Sequence, residues 1–459
     1  MNMSFIGIDL GTTFIKGAVL DLRARALAHI RRMPFPSRLA PADPLLWEFD
    51  PNEVVAAART VIQGLALLAP ECQGLVMCSQ MHGLVLVDDR GEPMSNCVSW
   101  RDQRALMPHP SGSGSYFDEI TRRVSPAERR QLGHELQIER PICVLFWLAE
   151  QGRLNAGLTP VSLPGFVLSQ LCNSTPAVEA THAAAYGALN LETMDWHPEV
   201  IKELGLAHLN WLPLRAQGEV VGFVKTGASQ VPCYMPVGDY QCALAGTVLG
   251  SDEISLNIST GAQVSRLTPT LSLGDYQTRP FFDGEFLNTF TNMPGGRSLN
   301  VLVDLLSELA AGSVDPQDSW AFIAKSAKEV TATDLKVDLS FFPKQDEEHG
   351  TISNIRGNNF TVGHLFRAAF NNMADKYHAH AVRLWPEKSW RKLVFSGGVA
   401  SRLEVLREII RKRFETGYRL APFEEDALFG LLILALLFSG EFGSFKQAAK
   451  ELRSEEVML

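Results

Sequence analysis

Residues 5–21, FIGIDLGTTFIKGAVLD, alternate apolar with small or polar positions on both sides of a Gly-Thr-Thr turn. Residues 253–269, EISLNISTGAQVSRLTP, follow the same layout around Ser-Thr-Gly. Each reads as strand, tight turn, strand. The likeness is one of layout more than identity, and it predicts two domains built on related plans. A chain of 459 residues is also too long for one hydrophobic core. The boundary is placed so that residues 1–246 form an N-terminal domain and 247–459 a C-terminal one.

Helical and strand patterns alternate along the chain, which predicts an α/β protein. DPNEVVAAARTVIQGLALLA opens on the Asp-Pro signal of a helix start. GLVMCS and LVLVDD read as strands around a turn at His82. VPCYMPVG reads as a strand ending at Asp239, where DYQCALAG begins a helix of small residues. KLVFSGG reads as a strand leading into one amphipathic helix, VASRLEVLREIIRKRF. The apolar run ALFGLLILALLF falls short of the ~18–20 residues of a membrane span, and a buried helix is expected there.

The formal net charge is −9 and no basic block interrupts it. Nucleic acid is therefore excluded as a partner, because its affinity rests on Lys and Arg neutralising phosphates. A membrane is excluded by the shortness of the apolar runs. Seven scattered cysteines with no CxxC pair suggest free thiols in a reducing cytoplasm, and SFIGID follows no basic leader. A cytoplasmic monomer or homodimer is expected.

Several stretches carry chemistry. In DLGTTFIK, the backbone N–H groups and hydroxyls around Gly11, Thr12 and Thr13 suit an anion, and Lys16 adds a point charge. Asp9 at the strand end would repel a bare phosphate but suits a magnesium ion held through water. The alternative is an ordinary hairpin. The second turn offers Thr260 and Gly261, and SGGVAS places Gly397 and Gly398 between a strand and a helix, where backbone can approach an anion closely. Asp239 is either a helix N-cap or a general base at a strand end. SQMHG brings Gln80, Met81 and His82 together, and WRDQR brings Trp100, Asp102 and Arg104. Read as a strand, the second pentapeptide puts Trp100, Asp102 and Arg104 on one side: an aromatic wall, an acceptor and a donor fork, which suits a polyol. The alternatives are a core histidine, a core tryptophan and a surface ion pair.

IGIDLGTTFIKGAVLD, SQMHGLVLVDD, SWRDQR, PVGDYQCALAG, ISTGAQ and SGGVASRLEVL resemble, in that order, the motifs of the FGGY carbohydrate kinases. The resemblance implies a two-domain actin-like ATPase (ribonuclease H-like) fold with a cleft between the domains. It implies ATP and Mg2+ as cofactors and a small-molecule ketose as substrate. Asp239 would be catalytic, and Gln80, Met81, His82, Trp100, Asp102, Arg104 and Tyr240 would bind the sugar. Gly11, Thr12, Thr13, Lys16, Thr260, Gly261, Gly397 and Gly398 would hold nucleotide, with Asp9 on the metal. GDYQCAL, LNISTGAQ, HAAAYGALNLETMDW and MPGGRSLNVLVDLL are closer to the sedoheptulokinases than to the xylulokinases, so sedoheptulose is the expected substrate and xylulose or ribulose the alternative. His182 stands where xylulokinases carry an acid, and Leu403 where some relatives carry an Asn near the adenine. A non-enzymatic ATP switch or sugar sensor on the same fold is the competing reading from another class.

Overall fold

The computed structural model describes residues 3–40, 43–112, 114–226, 229–308, 316–342 and 349–456. It is an α/β protein, and its residues gather into two compact units. Residues 1–248, 268–286 and 425–459 make the first, and 249–267 and 287–424 make the second.

In the first unit, strand β1 (Ser4–Leu10) is buried along its whole length and pairs antiparallel with β2 (Phe14–Asp21), Asp9 opposite Lys16. The expected hairpin is therefore present. On its other edge β1 runs parallel to the strand Leu75–Ser79, with Leu10 beside Ser79. The helix Pro51–Ala66 starts where the Asp-Pro signal predicts, its cap Asp50 accepting from the Asn52 N–H. Val54, Val61, Ile62 and Leu65 of that helix join Ile6, Ile8 and Ile15 in one apolar core. A side chain at Gly17 would press on Leu65, 2.7 Å away, and on Val61, 2.8 Å away, so the helix lies against the sheet only because that position is bare.

The second unit repeats this topology. Glu253–Ile258 pairs antiparallel with Ala262–Thr268 and parallel with Lys392–Ser396. The common layout of the two hairpins thus reflects a common arrangement: a hairpin whose first strand is flanked by a parallel strand ending in a Gly or His turn. The helix Val362–Leu384 buries Phe366, Phe370, Met373 and Tyr377.

Three expectations need correction. The stretch 247–459 is not one body, because Thr268–Phe286 and Glu425–Leu459 belong with the first unit. The first segment packs there by its backbone: the Thr278 N–H donates to Gly133 O at 3.0 Å, and Leu271 and Leu273 pack on the Val178–Leu191 cluster. The second carries the helix Asp426–Phe438, which crosses the helix Asp239–Gly246 through facing glycines. A Cβ at Gly246 would overlap the carbonyl of Asp426, and one at Gly430 the carbonyl of Cys242. This contact is the buried helix expected from ALFGLLILALLF, and among the described residues no helix is long and apolar enough to cross a membrane. The amphipathic run after KLVFSGG is two helices, Gly398–Arg402 and Glu404–Phe414, because Leu403 leaves helical geometry at φ −102°, ψ 82°. Trp100–Arg104 is not a strand: strand pairing stops at Val98, and a 3-10 turn begins at Arg104.

Candidate active site

At the C-terminal end of the Leu75–Ser79 strand the chain turns sharply. His82 takes a left-handed φ of 69°, a region that residues other than glycine use sparingly and that histidine enters more readily than most. Its Nε2 is buried without a partner, and burial together with the Arg140 and Arg279 guanidiniums holds the imidazole well below its usual pKa, neutral. Next to it, Met81 is buried, and its sulfur lies close to Gly238.

Gly238 ends the strand Val237–Gly238, which runs parallel to Cys78 and Ser79. It delivers Asp239 to the first turn of its helix. No side chain caps that helix, so Asp239 is not the N-cap that one reading of the sequence proposed; Gly238 holds the cap position. The strand end is pinned from below. Thr181 Oγ1 accepts from the Gly238 N–H at 2.9 Å and donates to Glu179. His182 bonds the Val237 backbone, and burial keeps it neutral, with its pKa lowered to about 4. The residue that replaces an expected acid thus serves the strand that carries Asp239.

Three carboxyl groups share this region. Burial pushes Asp239 up to about 8, with the charge of Asp9 the next cause. Burial likewise raises Asp9 to about 6, partly offset by Lys16. Asp426, at the start of the apolar helix, is raised to about 6, again by burial first, with Asp9 adding to it. Asp426 escaped the sequence reading, since an acid ahead of an apolar run reads as an ordinary helix start.

The Gly-Thr turn has specific uses. A Cβ on Gly11 would meet Phe14 O at 2.9 Å and the Asp9 carboxylate at 3.7 Å, so the turn needs a bare residue. Thr12 Oγ1 donates to Gln80 Oε1 at 3.3 Å and accepts from Trp100 Nε1 at 3.0 Å, linking the turn to both sequence pentapeptides. Thr13 is exposed. Lys16 is paired with Glu425 at 2.7 Å, and Arg32 binds the same carboxylate.

Asp102 and Arg104 are the clearest departure from expectation. Arg104 Nε and Nη2 donate to Asp102 at 2.7 and 2.8 Å, and Asp102 also accepts from the Arg104 and Trp47 backbone N–H groups. Arg104 Nη2 reaches Glu48 at 2.6 Å. Both residues are buried, so the pair is an ion pair, though not a surface one. Its guanidinium faces a polar pocket of about 600 Å³ shared with Glu48, Asn96 and Arg153, which Met81 and His82 do not line. The acceptor and the fork are spent on each other, and they fix the turn that presents Trp100.

Pattern reading also missed Arg279, in the buried strand Gln277–Pro280. Its Nε and Nη2 donate to Glu135, at 2.6 and 3.3 Å, and its Nη1 meets Met81 Sδ at 3.9 Å. Its guanidinium carbon stands 5.3 Å from the centroid of the Tyr240 ring, and its charge is felt at Asp239. Only the oddity of an arginine in a short strand ending at Pro-Phe-Phe signalled it.

In the second unit, three glycine-bearing turns meet. The Gly296 N–H donates to Ser259 O and the Arg297 N–H to Thr260 O, both at 2.8 Å. Gly397 takes a φ of 87° and would overlap Ser259 Oγ if it carried a Cβ. Thr260, Gly261 and Gly398 are exposed. The helix Gly296–Ser307 begins here with no side-chain cap, and its first two N–H groups are held instead by the carbonyls of the Ser259–Thr260 turn.

Comparison with known proteins bears on the family and the fold. Mouse sedoheptulokinase is 21% identical, over 94% of this chain and 97% of its own length. The L-xylulose/3-keto-L-gulonate kinase of Escherichia coli K12 is 22% identical, over 99% of this chain and 92% of its own. The crystal structure of gluconate kinase from Lactobacillus acidophilus superposes with a TM-score of 0.85 at 18% identity, covering 98% of this chain and 92% of that one. The fold is that of the actin-like sugar kinases. Residues 4–246 match the N-terminal domain of the FGGY family of carbohydrate kinases. The switch or sensor reading gives way to an enzyme: the chain belongs to the FGGY family of carbohydrate kinases, phosphotransferases that act on a sugar hydroxyl.

Proposed function

We propose that this kinase phosphorylates the terminal hydroxyl of a ketose, with sedoheptulose as acceptor and sedoheptulose 7-phosphate as product, using ATP and Mg2+. The observation that carries the reading is the gathering of Asp239, Met81, His82, Tyr240 and Arg279 around one strand end. Asp239 takes the proton of the terminal hydroxyl as that oxygen attacks phosphorus; a carboxyl raised to about 8 is a stronger base than a free aspartate. His82, neutral, exchanges hydrogen bonds with sugar hydroxyls, and Trp100, 38% exposed, offers its face to C–H groups. Gln80 sets Thr12, and Asp102 with Arg104 holds the turn under Trp100.

Gly11, Thr12, Thr13, Lys16, Thr260, Gly261, Gly397 and Gly398 are the phosphate-binding residues in this reading. Asp9 and Asp239, both desolvated and with the charge of Asp9 felt at Asp239, are carboxylates of the kind a divalent cation takes one or two of. Among the described residues no set of three His, Cys, Asp or Glu side chains is arranged as a metal cage. Mg2+ keeps waters and takes one or two carboxylates together with phosphate oxygens. Asp9 would hold it through water, and when bound the ion neutralises charge developing on the phosphates.

A coupled ADP-release assay over sedoheptulose, D-xylulose, D-ribulose and D-gluconate tests the substrate. The highest kcat/KM is expected with sedoheptulose, and a clear preference for a pentulose would move the assignment. Asp239→Asn tests the base. Loss of a positioned base costs ~10²–10⁴ in rate, whereas a purely structural aspartate predicts near-normal turnover. A folded, nucleotide-binding Asp239→Asn enzyme with kcat within a few-fold of wild type refutes the role.

A further inference from the structure

Glu135 is a buried acid that accepts from three side chains. Arg279 Nε and Gln277 Nε2 donate to its Oε1 at 2.6 and 2.9 Å, and Arg279 Nη2 and Arg140 Nη2 to its Oε2 at 3.3 and 2.7 Å. Its acceptor capacity is filled. Arg279 is therefore anchored by two of its three nitrogens, with the third turned the other way. Nη1 has a thioether as its acceptor, Met81 Sδ at 3.9 Å, and Arg279 is only 5% exposed. A buried charged donor without an oxygen acceptor costs free energy that a ligand oxygen recovers.

Other unsatisfied atoms belong to residues around it. His82 Nε2, His182 Nε2 and Gln241 Oε1 are buried without partners. Gln241 Nε2 holds Pro280 O at 3.2 Å, and a Cβ on Gly238 would touch both Gln241 Oε1 and Met81 Sδ. Donor and acceptor functions thus stand open together, as a row of hydroxyls requires, since each hydroxyl gives one bond and accepts others. The charges leave no surplus for an anion. Arg279 and Arg140 are answered by Glu135 and by Glu139, which Arg140 Nη1 reaches at 2.7 Å. Asp239 adds an acid, and both imidazoles are neutral.

We propose that Arg279 is a specificity-determining residue: its Nη1 donates to an uncharged oxygen of the acceptor sugar beside Asp239, and because its charge is committed to Glu135 the site takes neutral polyhydroxy substrates and turns away sugar acids. The inference rests on the reading of Met81, His82 and Asp239 as acceptor-site residues. It separates this enzyme from any kinase of aldonic acids on the same fold.

Arg279→Met removes the donor and Arg279→Lys keeps the charge toward Glu135 without the fork. Sedoheptulose, D-xylulose and D-gluconate are offered to both variants and to wild type, reading kcat/KM by ADP release, sugar affinity by calorimetry and nucleotide affinity separately. Wild type is expected to prefer the neutral sugars to gluconate. Arg279→Met should lose about 10- to 200-fold in affinity for the neutral sugar wild type prefers, the worth of one hydrogen bond to a charged group, with nucleotide affinity unchanged. Its gluconate activity should not fall further. Sugar affinity within threefold of wild type in a folded variant overturns the proposal, as does gluconate as the preferred wild-type substrate. If Arg279→Met does not fold, Arg279→Lys decides by the same readings; if neither folds, Arg279 is structural and the proposal falls. Calorimetry needs no catalytic base, so an Asp239→Asn enzyme that still turns over sinks the base assignment without touching this result.

Discussion

His182 and Glu179 sit within one short helix start, and their ionisations pull stability in opposite directions. Burial lowers the His182 pKa to about 4, below its unfolded value of 6.5, so the unfolded chain binds the proton more readily, and stability is lost as pH falls from 6.5 toward 4. Burial raises Glu179 to about 7, above 4.5, so the folded chain binds the proton more readily, and stability is lost as pH rises from 4.5 toward 7. Between those limits the two trends offset one another. His182→Asn, whose amide can still serve Val237, should leave the Glu179 trend exposed. Its melting temperature at pH 5 minus that at pH 7.5 is then expected to exceed the same difference in wild type, by an amount worth up to ~2 kcal/mol. Identical pH dependence in thermal scans of the two proteins would show that His182 is not held neutral by the fold. These residues also mark what the sequence discloses. Asp9, Gly11 and the His82 turn were legible because their chemistry is local, a turn and its neighbours. Arg279 was not, because its meaning lies in Glu135, 144 positions away. Asp102 and Arg104 misled for a related reason: Trp-x-Asp-x-Arg gives same-side placement only on a strand, and the chain had already turned.

Secondary structure elements were read well where a boundary signal was printed beside them. Asp50-Pro51 opened its helix as expected, whereas the break at Leu403 has no Gly or Pro to announce it. The crossing of the Asp239 and Asp426 helices was invisible in the same way, since Gly246 and Gly430 look like ordinary small residues until they face each other. Their closeness sets a clear expectation. Alanine normally favours a helix over glycine by roughly 1 kcal/mol. At Gly430 a methyl would run into the Cys242 carbonyl, and a backbone atom cannot step aside as a side chain tip can. Gly430→Ala is therefore expected to destabilise by ~1–3 kcal/mol despite its better propensity, the usual cost of overpacking. Denaturant unfolding with a shifted midpoint and an unchanged slope would register it. A variant as stable as wild type or more so would mean the helices pass with room to spare. Asp239 rides on this crossing, so activity should fall further than stability alone accounts for.

At the scale of the whole chain, the repeated hairpin disclosed a two-part construction, while no local signal disclosed which residues go with which part. A cut after Val248 looks natural on paper, yet it removes Thr268–Phe286 and Glu425–Leu459 from the unit they complete. Residues 1–248 expressed alone should leave the small-residue face of Asp239–Gly246 without Leu428, Leu431 and Leu432, which are buried in the full protein. Dye binding to exposed apolar surface and a broad, weakly cooperative melt are expected of the fragment. A sharp melt near that of the full chain would show that the first unit is self-sufficient.

The discontinuity also has a temporal side. A ribosome delivers β1, the His82 turn and Asp239 long before it delivers Asp426, and the whole of the intervening second unit emerges between them. Until that helix arrives, the nascent first unit must wait with an apolar face uncovered, a state prone to aggregation and dependent on whatever shelters nascent chains. Premature termination anywhere before Glu425 then yields a chain lacking Asp426 and the helix that supports Asp239, so a truncated copy is a substrate for proteases before it is a partial enzyme.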